Sequence, residues 1–326
     1  MSPLYGHDAA VDAIRTALDA GRLHHAWLVS GPVGIGKALF ARKAALRVLA
    51  QGQGPVARPG LDVPLEHQAA RLFEAGSHPD FAQLERLAKD GGTELARSIT
   101  VHQVRGLQRL FTTTSTYSPW RAVVVDAVDD LEPAGANALL KSLEEPPPST
   151  IFLLVSHAPE RLLPTIRSRC RTLRLGPLDQ EAMAEALRQA VPDAGPEEIA
   201  QLALAGGGSP GRAIAFRGLD VVNLDHAMGT IAKTGDPTNQ HRSALAQSLS
   251  GKAAQARYEA FLGRAPSFIA AAARERRGPG LAAALKLWER ASDLSRIALR
   301  QSFDPQATAF EMGSLIAALA PGGAKG

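Results

Sequence analysis

One cysteine, Cys170, stands in a chain of 326 residues. That scarcity excludes an internal disulfide and every cysteine-rich zinc site. Long apolar runs are also missing, and none approaches the ~18 residues of a membrane span. The opening stretch MSPLYGHDAAVDAIRTALDA has neither the basic start nor the apolar centre of a secretory signal, so the expected compartment is the cytoplasm. Dense basic charge is absent too. The formal net charge is +4 and the sequence pI about 9.4, which permits contact with a polyanion but falls short of a dedicated DNA reader. The RERR run at 274–277 reads as a solvated helix end, with direct DNA contact as the alternative.

What is present fits a globular chain. Hydrophobic residues make up 45% and charged residues 21%, enough for a sizeable core, and the length suggests two or three domains. AWLVS (26–30), AVVVD (122–126) and IFLLVS (151–156) are continuous apolar runs, the pattern of parallel strands covered on both faces. FAQL (81–84) and CRTLRL (170–175) read as further strands. KALFARKAALRVLA (37–50) has helical spacing, with Arg42, Lys43 and Arg47 on its polar side. Strand and helix in this rhythm predict a doubly wound α/β domain over about 1–176.

Three short helices follow over 177–218, one opening at Pro196 and one capped by Ser209; they form a small lid. Residues 219–326 are helical almost throughout, with breaks at 235–239, 278–280 and 304–305, and read as a separate helical domain. The terminal PGGAKG is expected to fray. The Gly- and Pro-rich segment 51–78 interrupts the α/β rhythm and reads as a surface insertion with a short helix near 65–74.

The first chemical signal is GPVGIGKA, directly after the first strand. Gly31, Gly34 and Gly36 let backbone N–H groups turn inward as an anion nest, and the following helix adds its positive end. Lys37 is placed to reach a terminal phosphate. The plain alternative is a glycine turn with a surface lysine. In the usual motif a Ser or Thr after the lysine binds Mg²⁺, whereas this chain has Ala38.

The second signal is AVVVDAVDDLEP. A strand ending in Asp126 is the pattern that helps hold Mg²⁺ beside a nucleotide. The next position, where an acid would activate water, is Ala127. A missing general base costs ~10²–10⁴ in rate. Shifting the register to Asp129 or Asp130 would put an Asp inside the apolar strand. The third signal is TIRSRCR; by itself, the trio Arg167, Arg169 and Arg171 is most simply charge that complements a helix end.

In that order and spacing, LHHAWLVSGPVGIGK, ANALLKSLEEPP and TIRSRC resemble bacterial clamp-loader subunits of the AAA+ class, their delta-prime branch nearest. The resemblance runs over about 1–215. It implies a RecA-like AAA+ domain (1–176), a three-helix lid (177–218) and a helical collar (219–326) through which five subunits form an open ring. Such a ring opens a sliding clamp and loads it onto primed DNA, driven by ATP on gamma/tau subunits, with a delta subunit completing the assembly.

The resemblance also assigns roles. Ser168, Arg169 and Cys170 match the serine-arginine-cysteine motif, whose arginine is a finger reaching the ATP site of the neighbouring subunit, so Arg169 must project from its own chain. Arg212, in GSPGRA, matches the lid arginine that approaches the subunit's own nucleotide, and Ser156 stands where relatives carry Thr or Asn. Delta-prime members commonly have degenerate ATP sites, in keeping with Ala38 and Ala127, and gamma/tau members do not. The expectation is weak ATP or ADP binding without hydrolysis; an active gamma/tau-type ATPase, with Asp129 replacing a lost group, is the alternative. Relatives often carry four zinc-binding cysteines in the region matching 51–78. Here only His67 and His78 stand nearby, and no zinc is expected.

Overall fold

The computed structural model describes residues 2–320 apart from 90, 91, 93, 94, 113 and 302, so the PGGAKG tail lies outside the described residues. The chain divides into two compact units, Met1–Arg212 and Ala213–Gly326.

The first unit is built on a five-stranded parallel sheet in the order β2-β3-β4-β1-β5. The strands are β1 (Ala26–Ser30), β2 (Phe81–Glu85), β3 (Arg121–Asp126), β4 (Thr150–Ser156) and β5 (Arg171–Arg174). β1 lies in register with β4 from Ala26↔Phe152 to Ser30↔Ser156. Every residue of both strands is buried, which is why their sequences are continuously apolar rather than alternating.

Successive side chains point to opposite faces, so Trp27 and Val29 join one core and Leu28 the other. The first core includes residues of α1 (Asp8–Asp19), α2 (Lys37–Gln51) and α3 (Gln68–Glu74). The second takes in α4 (Val101–Thr112), α5 (Pro133–Glu144) and Ile166 from the single turn α6 (Pro164–Arg167). The sheet's carboxyl edge therefore carries Ser30, Asp126 and Ser156 side by side, where ligands bind in open α/β sheets.

Two sequence expectations are corrected here. Lys43 and Arg47 are not on a solvated side of α2: they are 5% and 2% exposed. Segment 51–78 folds over them, contributing Leu61, Ala69, Ala70 and Phe73 to the core. Lys43 pairs with Asp62, and Arg47 donates to the Arg58 and Asp62 carbonyls at 2.8 and 3.0 Å. The insertion is a structural cover: the Asp62 carboxylate pairs Lys43, and its loop carbonyls accept from the buried Arg47 guanidinium.

Beyond β5, α7 (Gln180–Ala190) and α8 (Pro196–Gly206) complete the first unit, and α9 (Pro210–Ala215) crosses the boundary. The second unit is all helical: α10 (Val221–Thr234), α11 (Gln240–Ser248), α12 (Gln255–Arg274), α13 (Gly278–Gln301) and α14 (Pro305–Ala317). A buried carboxylate and its arginine tie α11 to α14. Asp236, 1% exposed, accepts the N–H groups of His241 and Arg242. The Arg242 guanidinium returns to Asp236 at 3.2 Å and donates to Ser314 Oγ at 2.9 Å, joining α11 to α14. Among the described residues, no helix is long and apolar enough to cross a membrane.

Candidate functional site

Between β1 and α2 the chain makes the glycine loop. Gly31 has φ +150°, and a Cβ there would stand 2.3 Å from the Leu175 carbonyl oxygen. Gly34 has φ +80°, and a Cβ there would stand 2.6 Å from Ser209 Oγ. Backbone conformation and close approach both demand glycine at these two positions. The start of α9 rests on the loop: Gly211 N–H donates to the Gly34 carbonyl at 2.9 Å, and Ser209 Oγ donates to that of Val33 at 2.9 Å. Ser209 Oγ in turn accepts the Arg212 N–H at 3.2 Å, the capping role read from sequence.

Lys37 is 3% exposed. Its Nζ donates to the Gly31 and Pro32 carbonyls, each at 2.6 Å. Burial lowers its pKa to about 8, against the opposing pull of Asp129 and Asp126. The ammonium is held by the loop that would otherwise offer it to a phosphate.

A cavity of about 660 Å³ opens beside it, lined by Gly34, Gly36, Lys37, Ala38, Asp126, Ala127, Asp130 and His157, with Arg86 on its wall. Ala38 and Ala127 both face this space, each presenting only a methyl group. Asp126 is the one carboxylate of the expected pair, and burial raises its pKa. A glycine loop at a helix N-terminus suits an anion.

Asp129 does not line the cavity. Its carboxylate accepts Ser156 Oγ at 3.0 Å, His157 N–H at 2.8 Å and Ala158 N–H at 3.1 Å, tying the turn after β3 to the end of β4. It is engaged as a fastener. Ser156, which stands where relatives carry Thr or Asn, gives its hydroxyl to that fastening. Asp130 reaches the cavity, paired with Arg86 Nε at 3.1 Å.

A second cavity of about 300 Å³ adjoins the loop, walled by Leu4, Tyr5, Leu39, Leu178, Ala186 and Gln189 among others. Tyr5 Oη donates to Gln189 Oε1 at 2.9 Å, closing one side. A mainly apolar slot beside a phosphate cradle can take a flat ring. Sequence reading missed it because its walls come from the N-terminal segment and α7, far apart in the chain. His67 caps α3 and His78 Nδ1 accepts the Asp80 N–H, so both have structural tasks.

Arg169 lies two residues past α6 and is among the lining of neither cavity. Rather than projecting freely, its Nη1 donates to the Thr165 carbonyl at 2.9 Å, with Ser168 Oγ at 3.4 Å. Its Nη2 pairs with Glu144 Oε1 at 2.9 Å. The side chain remains 35% exposed, and that of Glu144 47%. Ser168 Oγ donates to the Thr165 carbonyl at 3.2 Å. Cys170 packs against the second core, where burial pushes its thiol pKa up to about 12.

The family model described as DNA polymerase III, delta subunit, matches residues 6–179, more than half of the chain. The chain belongs to this family. It is 38% identical over 186 residues to the DNA polymerase III subunit delta' of Pseudomonas aeruginosa, covering 57% of this chain and 53% of that one. Against the delta' subunit of Escherichia coli it is 35% identical over 204 residues, 60% of this chain and 55% of that one. The gamma/tau subunit of Mycobacterium tuberculosis is 38% identical over 165 residues, 50% of this chain and 26% of that one. The match thus spans about half the length of the delta' relatives. The family model's range takes in the glycine loop, Asp126 and the Arg169 motif.

Proposed function

We propose that this chain is a delta-prime-type clamp-loader subunit, an AAA+ protein that does not itself turn over ATP. In this reading it assembles with gamma/tau and delta subunits into a five-membered ring that opens a sliding clamp and loads it onto primed DNA. The helical second unit acts as collar. Arg169 serves the ATP site of the neighbouring subunit, where an arginine supplied in trans is worth ~10³–10⁵ in rate.

The observation that carries the reading is the pairing of Ala38 and Ala127 around one cavity with Lys37 bound to its own loop. Relatives named delta' and gamma/tau both match, so the name alone does not choose between them. The two alanines favour the non-hydrolysing type. An active ATPase would need a substitute carboxylate, and all three polar contacts of Asp129 are already structural.

Arg169 is compatible with the role because its side chain stays partly exposed and keeps donors to spare. An exposed ion pair contributes ~0–1 kcal/mol, and a guanidinium has five N–H donors, more than Thr165, Ser168 and Glu144 use. When bound, a nucleotide would lie with its phosphates at Lys37 and the loop N–H groups, held weakly and without hydrolysis. Phosphate release by the purified chain with ATP and Mg²⁺ tests the claim. The expected result is no turnover above buffer; turnover abolished by Lys37→Ala would assign the chain to the gamma/tau type.

A further inference from the structure

Glu144 breaks a local rule. It is the last residue of α5, Glu145 caps the helix, and Lys141 is the only basic residue of the final turn. Negative charge is unfavourable at a helix C-terminus, and such local conflicts point to function. Here the conflict is relieved by one group, the Arg169 guanidinium at 2.9 Å.

Both ends of this contact are anchored. The Leu143 carbonyl faces His25 Nε2 at 3.2 Å, tying the end of α5 to the root of β1. On the other side, Ile166 and Cys170 sink into the second core on either side of Arg169. A rigid backbone thus sets two charged tips against each other at the surface.

We infer that Glu144 is a positioning residue for Arg169. With the Thr165 carbonyl it holds the guanidinium in one orientation and leaves the remaining N–H donors facing outward, ready for a phosphate of another chain. The inference rests on the proposed trans role of Arg169 and adds to it the residue that preorganises the arginine. Without the carboxylate, a long side chain with one main anchor samples many rotamers and is aligned less often.

The test uses the complex reconstituted with gamma/tau and delta subunits. Single-turnover phosphate release is measured against ATP concentration for Glu144→Ala, Glu144→Gln, Arg169→Ala and the Glu144→Ala/Arg169→Ala double variant. Glu144→Ala should slow release at saturating ATP about fivefold, the scale of an exposed ion pair, and leave the half-saturating ATP concentration unchanged. Glu144→Gln should fall between, because its amide oxygen still accepts. The double variant should match Arg169→Ala alone, and the melting temperature should not move. Full activity in Glu144→Ala while Arg169→Ala is slow overturns the inference and leaves the arginine assignment standing. A further loss in the double variant overturns it as well. Full activity in Arg169→Ala removes the assignment itself, and the inference with it.

Discussion

The Lys37 ammonium donates to the Gly31 carbonyl at 2.6 Å, from inside a loop shaped to let such a lysine hold a phosphate. With Pro32 supplying a second carbonyl, two backbone oxygens take the place of an anion. Under the proposed reading, retained loop geometry and lost chemistry meet in this one residue.

That arrangement gives the nucleotide affinity a pH dependence. Lys37 titrates at about 8, and only its charged form attracts phosphate. As pH rises through that value the lysine goes neutral, and binding must then take up a proton. Affinity for ADP, measured by calorimetry, should fall with pH, approaching about tenfold per unit. A flat profile would show that Lys37 does not engage the phosphates.

Restoring the two missing groups should restore chemistry in steps. Ala38→Ser should tighten nucleotide binding when Mg²⁺ is present and leave it unchanged when Mg²⁺ is absent. Neither Ala38→Ser nor Ala127→Glu alone should give turnover. Together they should give measurable phosphate release, since a general base contributes ~10²–10⁴. Turnover already present in the unsubstituted chain contradicts this account.

Asp129 should matter for stability rather than catalysis. Asp129→Ala strips the partner from the Ser156 hydroxyl and from two backbone N–H groups. Hydrogen bonds to a charged acceptor are worth ~1.5–3 kcal/mol each, and neighbouring losses do not simply add. Urea denaturation should show the first unit destabilised by about 2–4 kcal/mol. Unchanged stability would return Asp129 to the candidates for a cavity role.

In the second unit Asp236→Ala should cost about 1–3 kcal/mol, because it strips the acceptor from two backbone N–H groups and from the half-buried Arg242 guanidinium. Burial pushes the Asp236 pKa up, but the N–H groups of Arg242 and His241 and the guanidinium outweigh it and hold it below the ordinary value. A depressed carboxylate stabilises the fold above its unfolded pKa of ~3.9 and loses that contribution as pH falls through the lower folded value. Acid unfolding of Asp236→Asn should lack this limb.

The sheet was legible because its central strands are buried on both faces. AWLVS and IFLLVS carry no alternation to misread, and they occupy β1 and β4 almost residue for residue. The glycine loop was legible for a related reason, since positive φ and tight backbone approach leave a mark in sequence. Arg47 was not. Its spacing on α2 is that of a solvated residue, and only the carbonyls of Arg58 and Asp62, supplied by a folded-over segment, make burial tolerable. Asp129 and Glu144 escaped for the same reason: each is defined by a partner far along the chain, Ser156 for one and Arg169 for the other. Composition and periodicity report which face is apolar, not which distant atom satisfies a given charge.

The most direct test of the central claim is phosphate release at the adjoining ATP site in a reconstituted complex carrying Arg169→Ala. The account predicts that release at that site slows by about 10³ or more, with assembly of the ring intact. Release at the unsubstituted rate from a fully assembled ring would contradict it.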